Sequence, residues 1–133
     1  IKITSINCNN NQRTFSVGDK LVISLGYLRK SNQLAGIIFG LQIINEKGDI
    51  LSVIDSRYSN IGISLRKKGV IKCKVENILL NSGNYRFNIY VGANNQTCDF
   101  IENAMEFNIR GYNQNIFKGK PEKGIVVFNY KWE

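Results

Sequence analysis

Strict alternation of apolar and polar side chains between residues 85 and 91 constrains the fold of this chain more than any other feature. The segment lies in the longer stretch NILLNSGNYRFNIYVG, residues 77–92. One side carries Tyr85, Phe87, Ile89 and Val91, and the other carries Arg86, Asn88 and Tyr90. Successive side chains of a β-strand point to opposite faces of its sheet, so this stretch predicts a strand with one buried face.

Seven further segments show the same period or are short apolar runs between turn signals. They are 1–6, 15–28, 35–44, 50–54, 69–77, 104–109 and 124–132. Turns are expected at Val17-Gly18-Asp19 and at NEKGD (45–49), where glycine supplies the positive φ of a tight turn, and one helical turn is expected within 98–104. Eight short strands without the spacing of βαβ units predict an all-β, antiparallel β-sandwich of jelly-roll or immunoglobulin-like character.

The residues before the alternating strand predict how it begins. The segment from Leu79 to Tyr85 contains a leucine, then a glycine, then a tyrosine, at Leu80, Gly83 and Tyr85. In Greek-key sandwiches, a tyrosine at the start of a late strand donates its hydroxyl to the backbone upstream and holds the crossover loop. Tyr85 is therefore predicted to be a tyrosine corner, a residue of the fold and not a ligand contact.

Length and composition exclude several classes. The 133 residues fit one domain, 1–133. The absence of histidine excludes Ser-His-Asp and Cys-His catalysis and histidine metal ligands. No run of 18 apolar residues occurs. Three widely spaced cysteines, Cys8, Cys73 and Cys98, favour a reducing compartment over a disulfide framework, and Cys73 is expected to be a small core residue.

The formal charge of +8 leaves two interpretations open. The basic residues are scattered, and they cluster only at Arg66-Lys67-Lys68 and at Lys118, Lys120 and Lys123, both in predicted loops. They either keep the loops solvated or form a docking surface for an acidic partner or an anionic lipid. No recognition helix, RNP-like aromatic motif or zinc finger is present, so no nucleic-acid partner is predicted.

The C-terminal region differs from the rest. Residues 111–123 are polar and aperiodic and contain the single proline, and they separate strand 124–132 from the other seven. A strand on so long a connection pairs with its own sandwich or with that of a neighbour, which is the condition for a swapped dimer.

The sequence predicts no catalysis, no cofactor and no metal site. The ten carboxylates fall mostly in turns and at strand ends, where acids are ordinary, and no dense acidic loop indicates calcium. Gly36 and Gly40 lie in a predicted strand and do not form a phosphate-binding loop.

The polar sides of the strands are the remaining candidate site. Planar amides and carboxylates offer the paired donors and acceptors that vicinal sugar hydroxyls match, and aromatic rings stack on pyranose C–H faces. The candidate carbohydrate-binding residues are Gln42, Arg57, Tyr58, Arg86, Asn88, Tyr90, Tyr130 and Trp132. Trp132 is also a candidate dimer or core residue. A one-residue error in the strand phase would invert these assignments. The residues alone leave glycan binding and a plain interaction module both open.

The order of the motifs resembles the C-terminal carbohydrate-binding domain of Wzt-type proteins, the ATP-binding subunits of bacterial O-antigen ABC transporters. The resemblance covers essentially the whole chain. It is carried by FSVGDKLVISLGY, GLQIINEKGDILSVIDS, the L-x-x-G-x-Y corner with its alternating strand, NAMEFNI and the closing GIVVFNYKW.

The resemblance implies a function and several partners. It implies recognition of the capped or terminal end of a lipid-linked O-antigen polysaccharide, which couples glycan completion to export. It implies a cytoplasmic homodimer that exchanges its last strand at the inner face of the cytoplasmic membrane. The partners would be the protein's own N-terminal ATPase domain, which this chain lacks, and the transmembrane transporter subunit. The alternatives are a structural dimerisation or docking module of the transporter and a secreted glycan-binding module.

Overall fold

The computed structural model of the chain describes residues 1–31, 34–59, 65–117, 124–128, 130 and 132–133. The described residues form eight strands in two sheets, which confirms the predicted all-β sandwich. The strands are β1 Lys2–Cys8, β2 Thr14–Val17, β3 Leu21–Leu28, β4 Ile38–Asn45, β5 Ile50–Asp55, β6 Lys68–Val75, β7 Gly83–Ala93 and β8 Gln96–Tyr112. Within these residues no helix is long and apolar enough to cross a membrane.

The two sheets differ in size. The smaller has the order β1-β3-β6 and the larger β2-β8-β7-β4-β5. All pairs are antiparallel except β2 with β8, which is parallel. The apolar sides of both sheets pack on each other around Phe87, Ile23 and Ile109, each of which is fully buried. The alternation read from the sequence therefore corresponds to an inner and an outer side of each sheet.

The turns predicted from glycine are present. Gly18, with a φ of 93°, separates β2 from β3, and a side chain there would also meet the ring of Phe117. Gly48, with a φ of 87°, lies in the β4–β5 hairpin, which Asn45 closes by donating its backbone N–H to the carbonyl of Asp49 at 3.1 Å. These two glycines adopt backbone conformations that other residues rarely reach.

The tyrosine corner is confirmed. Tyr85 is buried and donates its hydroxyl to the carbonyl of Asn81 at 2.6 Å. The Asn81 backbone N–H in turn donates to the carbonyl of Ile125, and the N–H of Val127 donates to the carbonyl of Leu79. The corner segment thus fixes the start of β7 and also holds residues 124–127.

Three expectations about local structure were wrong or only partly met. The helical turn expected within 98–104 is absent, because these residues continue β8 as a strand. Lys68, predicted in a loop, begins β6. Within the described residues, the predicted strand 124–132 forms only one isolated bridge, from Val126 to Leu80. The second basic cluster, at 118–123, lies outside the described residues, and exchange of the last strand stays a prediction.

The three cysteines are free and differ in environment. Cys8 is fully buried, Cys73 packs against the core from a half-buried position, and Cys98 is exposed. Burial raises the pKa of the Cys8 thiol to about 12 against a smaller opposing influence of Arg13, and burial also raises the pKa of Cys73. Cys8 and Cys73 are therefore unreactive at neutral pH.

Candidate functional site

Four of the eight predicted site residues lie together on the outer face of the five-stranded sheet. Asn88 is paired in register with Gln42 and Tyr90 with Gly40, while their neighbours Phe87 and Ile89 are fully buried on the inner side. The predicted phase of β7 is therefore confirmed, since Arg86 shares the outer side with Asn88 and Tyr90. Direct contact of these side chains with a sugar stays a prediction.

Asn88 is buried on the outer face, although the sequence predicted it to be accessible. Phe87 pairs with Met105 and Ile89 with Ile101, so β8 bulges by two extra residues opposite Asn88. The bulge covers the side chain, which is only 5% exposed. Asn88 Oδ1 accepts the backbone N–H of Asn103 at 2.8 Å, and its Nδ2 donates to Gln42 Oε1 at 3.1 Å. Asn88 thus positions the bulge and Gln42, and little of its side chain is accessible to a ligand.

One end of the outer face is aromatic, and we call Tyr90, Phe100 and Gly40 the aromatic end. Tyr90 and Phe100 are cross-strand partners, and Phe100 is 48% exposed. The Tyr90 ring lies so close to Gly40 that a methyl group there would overlap it. A glycine in a central strand here allows the ring to lie against the backbone of β4. The aromatic end therefore offers an exposed apolar surface of the kind that stacks on sugars.

A charged pair borders the aromatic end. Arg57 Nη2 lies 3.6 Å from Asp55 Oδ2, and the Arg57 backbone N–H donates to Asp55 Oδ1 at 2.9 Å. Burial is the main cause that raises the pKa of Tyr90, Asp55 raises it further, and Arg57 lowers it. Both charged residues therefore lie near the Tyr90 hydroxyl, and Tyr90 stays neutral and able to donate a hydrogen bond at physiological pH.

The other end of the outer face is a polar cleft of ≈ 540 Å³, which we call the arginine cleft. Its lining residues are Arg13, Asn45, Glu46, Asn84, Tyr85, Arg86, Glu106, Phe107 and Asn108. Arg86 lies four residues from Tyr90 along β7, or about 13 Å at about 3.3 Å per residue. The outer face thus joins a polar cleft and an aromatic surface along one strand, a length that spans several sugar units.

Hydrogen bonds hold the polar groups of the arginine cleft in place. Asn84 donates from Nδ2 to Glu46 Oε1 at 2.5 Å and accepts from Arg110 Nη2 at 3.1 Å. Arg13 donates from Nη1 to the carbonyl of Glu106 at 3.1 Å. Side chains that are held by such bonds lose less conformational freedom when a ligand binds.

The other four predicted residues lie outside the group of strand residues on the outer face. Arg57 borders the aromatic end, whereas Tyr58 is 92% exposed in the turn after β5. Tyr130 and Trp132 are 76% and 89% exposed in the C-terminal segment, and neither lines the arginine cleft.

Sequence reasoning missed several residues of the outer face. Phe100 was overlooked because residues 98–104 were read as a helical turn. In the structure they continue β8, and Phe100 pairs with Tyr90. Asn84 was placed before the alternating strand, yet it continues the outer series of β7 by one step. Arg13 and Glu46 reach the cleft from a loop and a hairpin, and no pattern within β7 indicates them. Among the described residues, no group of three or more acidic or cysteine side chains forms a metal site.

Comparisons with known proteins agree with this architecture. Residues 1–126 match the family model described as the Wzt C-terminal domain. A solved structure described as the crystal structure of the C-terminal domain of wzt superposes with a TM-score of 0.65. That likeness covers 96% of this chain and 78% of the other at 14% identity, so it supports the fold. No curated protein matches the chain.

Proposed function

Because the chain belongs to the Wzt C-terminal domain family, we propose that it recognises the capped or terminal end of an O-antigen polysaccharide and couples glycan completion to export by an ABC transporter. Family membership supports a general role in polysaccharide recognition by O-antigen transporters, without catalysis. The outer face of the five-stranded sheet is the proposed site. Its combination of a hydrogen-bonded polar cleft and an exposed aromatic end is the observation that carries the proposal.

The chemistry of the outer face suits a sugar chain. Sugar hydroxyls are both donors and acceptors, and the amides of Asn84 and Asn108 and the carboxylates of Glu46 and Glu106 offer complementary groups. The rings of Tyr90 and Phe100 offer area for the apolar faces of a pyranose. Each exposed hydrogen bond contributes only about 1 kcal/mol, so binding of short glycans is expected between about micromolar and millimolar.

A binding experiment with matched variants tests this function. The polysaccharide of the source organism is titrated into the domain and followed by calorimetry, with Tyr90→Ala and Phe100→Ala as site variants. Val70→Ala is the control, because Val70 is an exposed apolar residue, 61% accessible, on the outer side of the other sheet. Loss of binding in the site variants with an unchanged control supports the proposal. A folded domain that binds none of this polysaccharide contradicts it.

We also propose that the domain acts as a homodimer, attached to its own ATPase domain and to the transmembrane subunit at the cytoplasmic side of the membrane. The supporting observation is an exposed apolar tail: Phe128, Tyr130 and Trp132 are each more than two-thirds accessible, whereas Val127 is buried. Clusters of exposed rings on a small domain indicate an interaction surface.

Truncation separates this tail from the fold. Removal of residues 128–133 leaves the hydrogen bonds of Val127 to Leu79 and of Asn81 to Ile125 intact. The shortened chain is expected to stay folded and to become monomeric in analytical ultracentrifugation. If the full chain is itself a monomer at high micromolar concentration, the proposal of a homodimer fails while glycan binding is unaffected.

A further inference from the structure

Arg86 lies in the arginine cleft with one buried donor that the described residues leave unpaired. In register it lies between Ile44 of β4 and Glu106 of β8. Ile44 is only 6% exposed, although it lies outside the central core, so it provides an apolar neighbour on the outer face. The Nε atom of Arg86 is buried and has no hydrogen-bond partner within the part of the chain that the structure describes.

No carboxylate within the described residues forms an ion pair with Arg86. The ion pairs found there join Lys20 to Glu76 and Arg57 to Asp55. Glu46 instead accepts the hydrogen bond of Asn84, and Glu106, although it lies opposite Arg86, does not come within ion-pair distance of it. A partly desolvated guanidinium with an unpaired donor is unfavourable in the free protein, and an incoming anion offsets that cost.

We propose that the arginine cleft binds an acidic group of the glycan, a carboxylate or a phosphate, and that Arg86 is the residue that selects it. The inference rests on the proposed glycan-binding function and specifies the class of sugar. The guanidinium presents donors in a planar fork that matches both oxyanions in bidentate fashion. Arg13 lines the same cleft, so two guanidinium groups and two carboxylates line it, and Arg110 adds a third guanidinium group that donates to Asn84.

The aromatic end provides an internal contrast. Arg57 lies in the turn after β5 at the edge of this face, and it forms an ion pair with Asp55 at 3.6 Å. An acidic sugar is therefore expected to gain less binding free energy at Arg57 than at Arg86. Lys72→Gln is the matched control for Arg86→Gln, since it removes one exposed cation from the outer side of the other sheet.

The experiment compares three probes that share a glucose ring. Glucuronate supplies a carboxylate, glucose 6-phosphate supplies a phosphate ester, and methyl glucoside is neutral. Each is titrated into the ¹⁵N-labelled domain, and the backbone amide signals of β7 and β8 and the Nε–H signal of Arg86 are followed. At least one acidic probe is expected to bind about tenfold tighter than methyl glucoside, and the stronger of the two identifies the group.

The variants assign the effect to one residue. Arg86→Gln is expected to remove the preference for the acidic probe, Arg86→Lys to retain part of it through charge without the fork, and Lys72→Gln to retain all of it. The amide spectrum of each variant verifies that it is folded. Equal affinity for all three probes, or an acid preference that survives Arg86→Gln in a folded domain, overturns the inference.

Binding of the whole polysaccharide separates this inference from the proposed function. If the polysaccharide binds equally well to the native domain and to Arg86→Gln, and the probes show no acid preference, the acidic subsite is wrong and glycan recognition stands. If the polysaccharide fails to bind while an acidic probe still perturbs Arg86, the anion site stands and the proposed function fails.

Discussion

The outer faces of the two sheets carry hollows of similar size and different chemistry. The hollow on the five-stranded sheet is the arginine cleft and measures ≈ 540 Å³, and that on the three-stranded sheet measures ≈ 440 Å³. The first is lined by arginines, carboxylates and amides, whereas the second is lined by serines, asparagines, valines and Lys72, with no carboxylate. Concavity alone therefore does not distinguish a candidate binding face, and the type and pairing of the side chains do.

A glycine in the middle of each outer face shows the same difference. The space over Gly40 in β4 is filled by the ring of Tyr90, and the space over Gly26 in β3 is filled by the hydroxyls of Thr4 and Ser5. The five-stranded sheet also has the wide bulge of β8, which buries Asn88. Identical period-two patterning thus produces a ring-bearing surface on one sheet and a plain hydroxyl-bearing surface on the other.

The largest expected effect concerns the buried amide beneath the bulge. Asn88→Ala removes the acceptor of the Asn103 N–H and the donor to Gln42, and leaves two polar groups unpaired. Each unpaired group costs about 1–3 kcal/mol, so the free energy of unfolding should fall by about 2–6 kcal/mol in urea denaturation. Ser24→Ala on the other face should change it by less than about 0.5 kcal/mol. Equal effects of the two changes would remove the distinction between the faces.

The second prediction compares the two glycines. Gly40→Ala forces the Tyr90 ring away from β4, whereas Gly26→Ala displaces only the hydroxyls of Ser5 and Thr4. Polysaccharide binding should weaken about tenfold or more in the first variant, about 1.4 kcal/mol, and stay unchanged in the second. The measurement is calorimetric titration of both variants after their folding has been verified. Weakening in Gly26→Ala alone would move the site to the three-stranded sheet.

The third prediction concerns the tyrosine corner, which belongs to neither outer face. Tyr85→Phe removes the hydrogen bond of 2.6 Å to the carbonyl of Asn81. The free energy of unfolding should decrease by about 1 kcal/mol in urea denaturation, with more if the carbonyl stays buried and unpaired. Glycan affinity should be unchanged. A loss of affinity without a loss of stability would show that Tyr85 contacts the ligand from the floor of the arginine cleft.

The smallest expected effect is a change of the Tyr90 pKa. Asp55→Asn should lower the pKa of Tyr90, and Arg57→Gln should raise the pKa of Tyr90. In both variants the pKa stays above its usual value of 10, because burial is the main cause of the increase. Ultraviolet titration of the phenolate measures both. Because the folded-state pKa of Tyr90 is raised, its contribution to stability is fully present below pH 10 and is lost as the pH rises through the folded-state pKa. If the pKa of Tyr90 moved in the same direction in both variants, the placement of Asp55 and Arg57 near Tyr90 would be contradicted.

Much of the fold was predictable because it depends on local patterns. The alternation in β7 predicted the inner and outer residues from Tyr85 to Val91, and the corner motif predicted the hydrogen bond of Tyr85. The end of the chain was less predictable. The alternation of residues 124–132 predicted a strand, but a strand needs a neighbouring strand to pair with. Among the described residues of this segment, only Val126 forms a bridge, with Leu80. A pattern states which face is apolar and does not state what covers it.

The candidate site was predictable only in part. The grouping of Gln42 with Arg86, Asn88 and Tyr90 follows from strand phase and was confirmed as an arrangement. The burial of Asn88 was not predictable, because it depends on two extra residues in a different strand. Tyr130 and Trp132 were predicted by residue type alone, and their rings lie in the exposed tail.

The sequence by itself determined the class of fold, the phase of the central strand and the tyrosine corner, because period-two patterning and turn chemistry act within a few residues. Only the tertiary structure decided which polar residues remain available to a ligand. The register between β7 and β8 buried Asn88, placed Phe100 beside Tyr90, and left Arg86 between Ile44 and Glu106, where its Nε has no hydrogen-bond partner among the described residues. Register joins residues far apart in the chain, so no local pattern contains it.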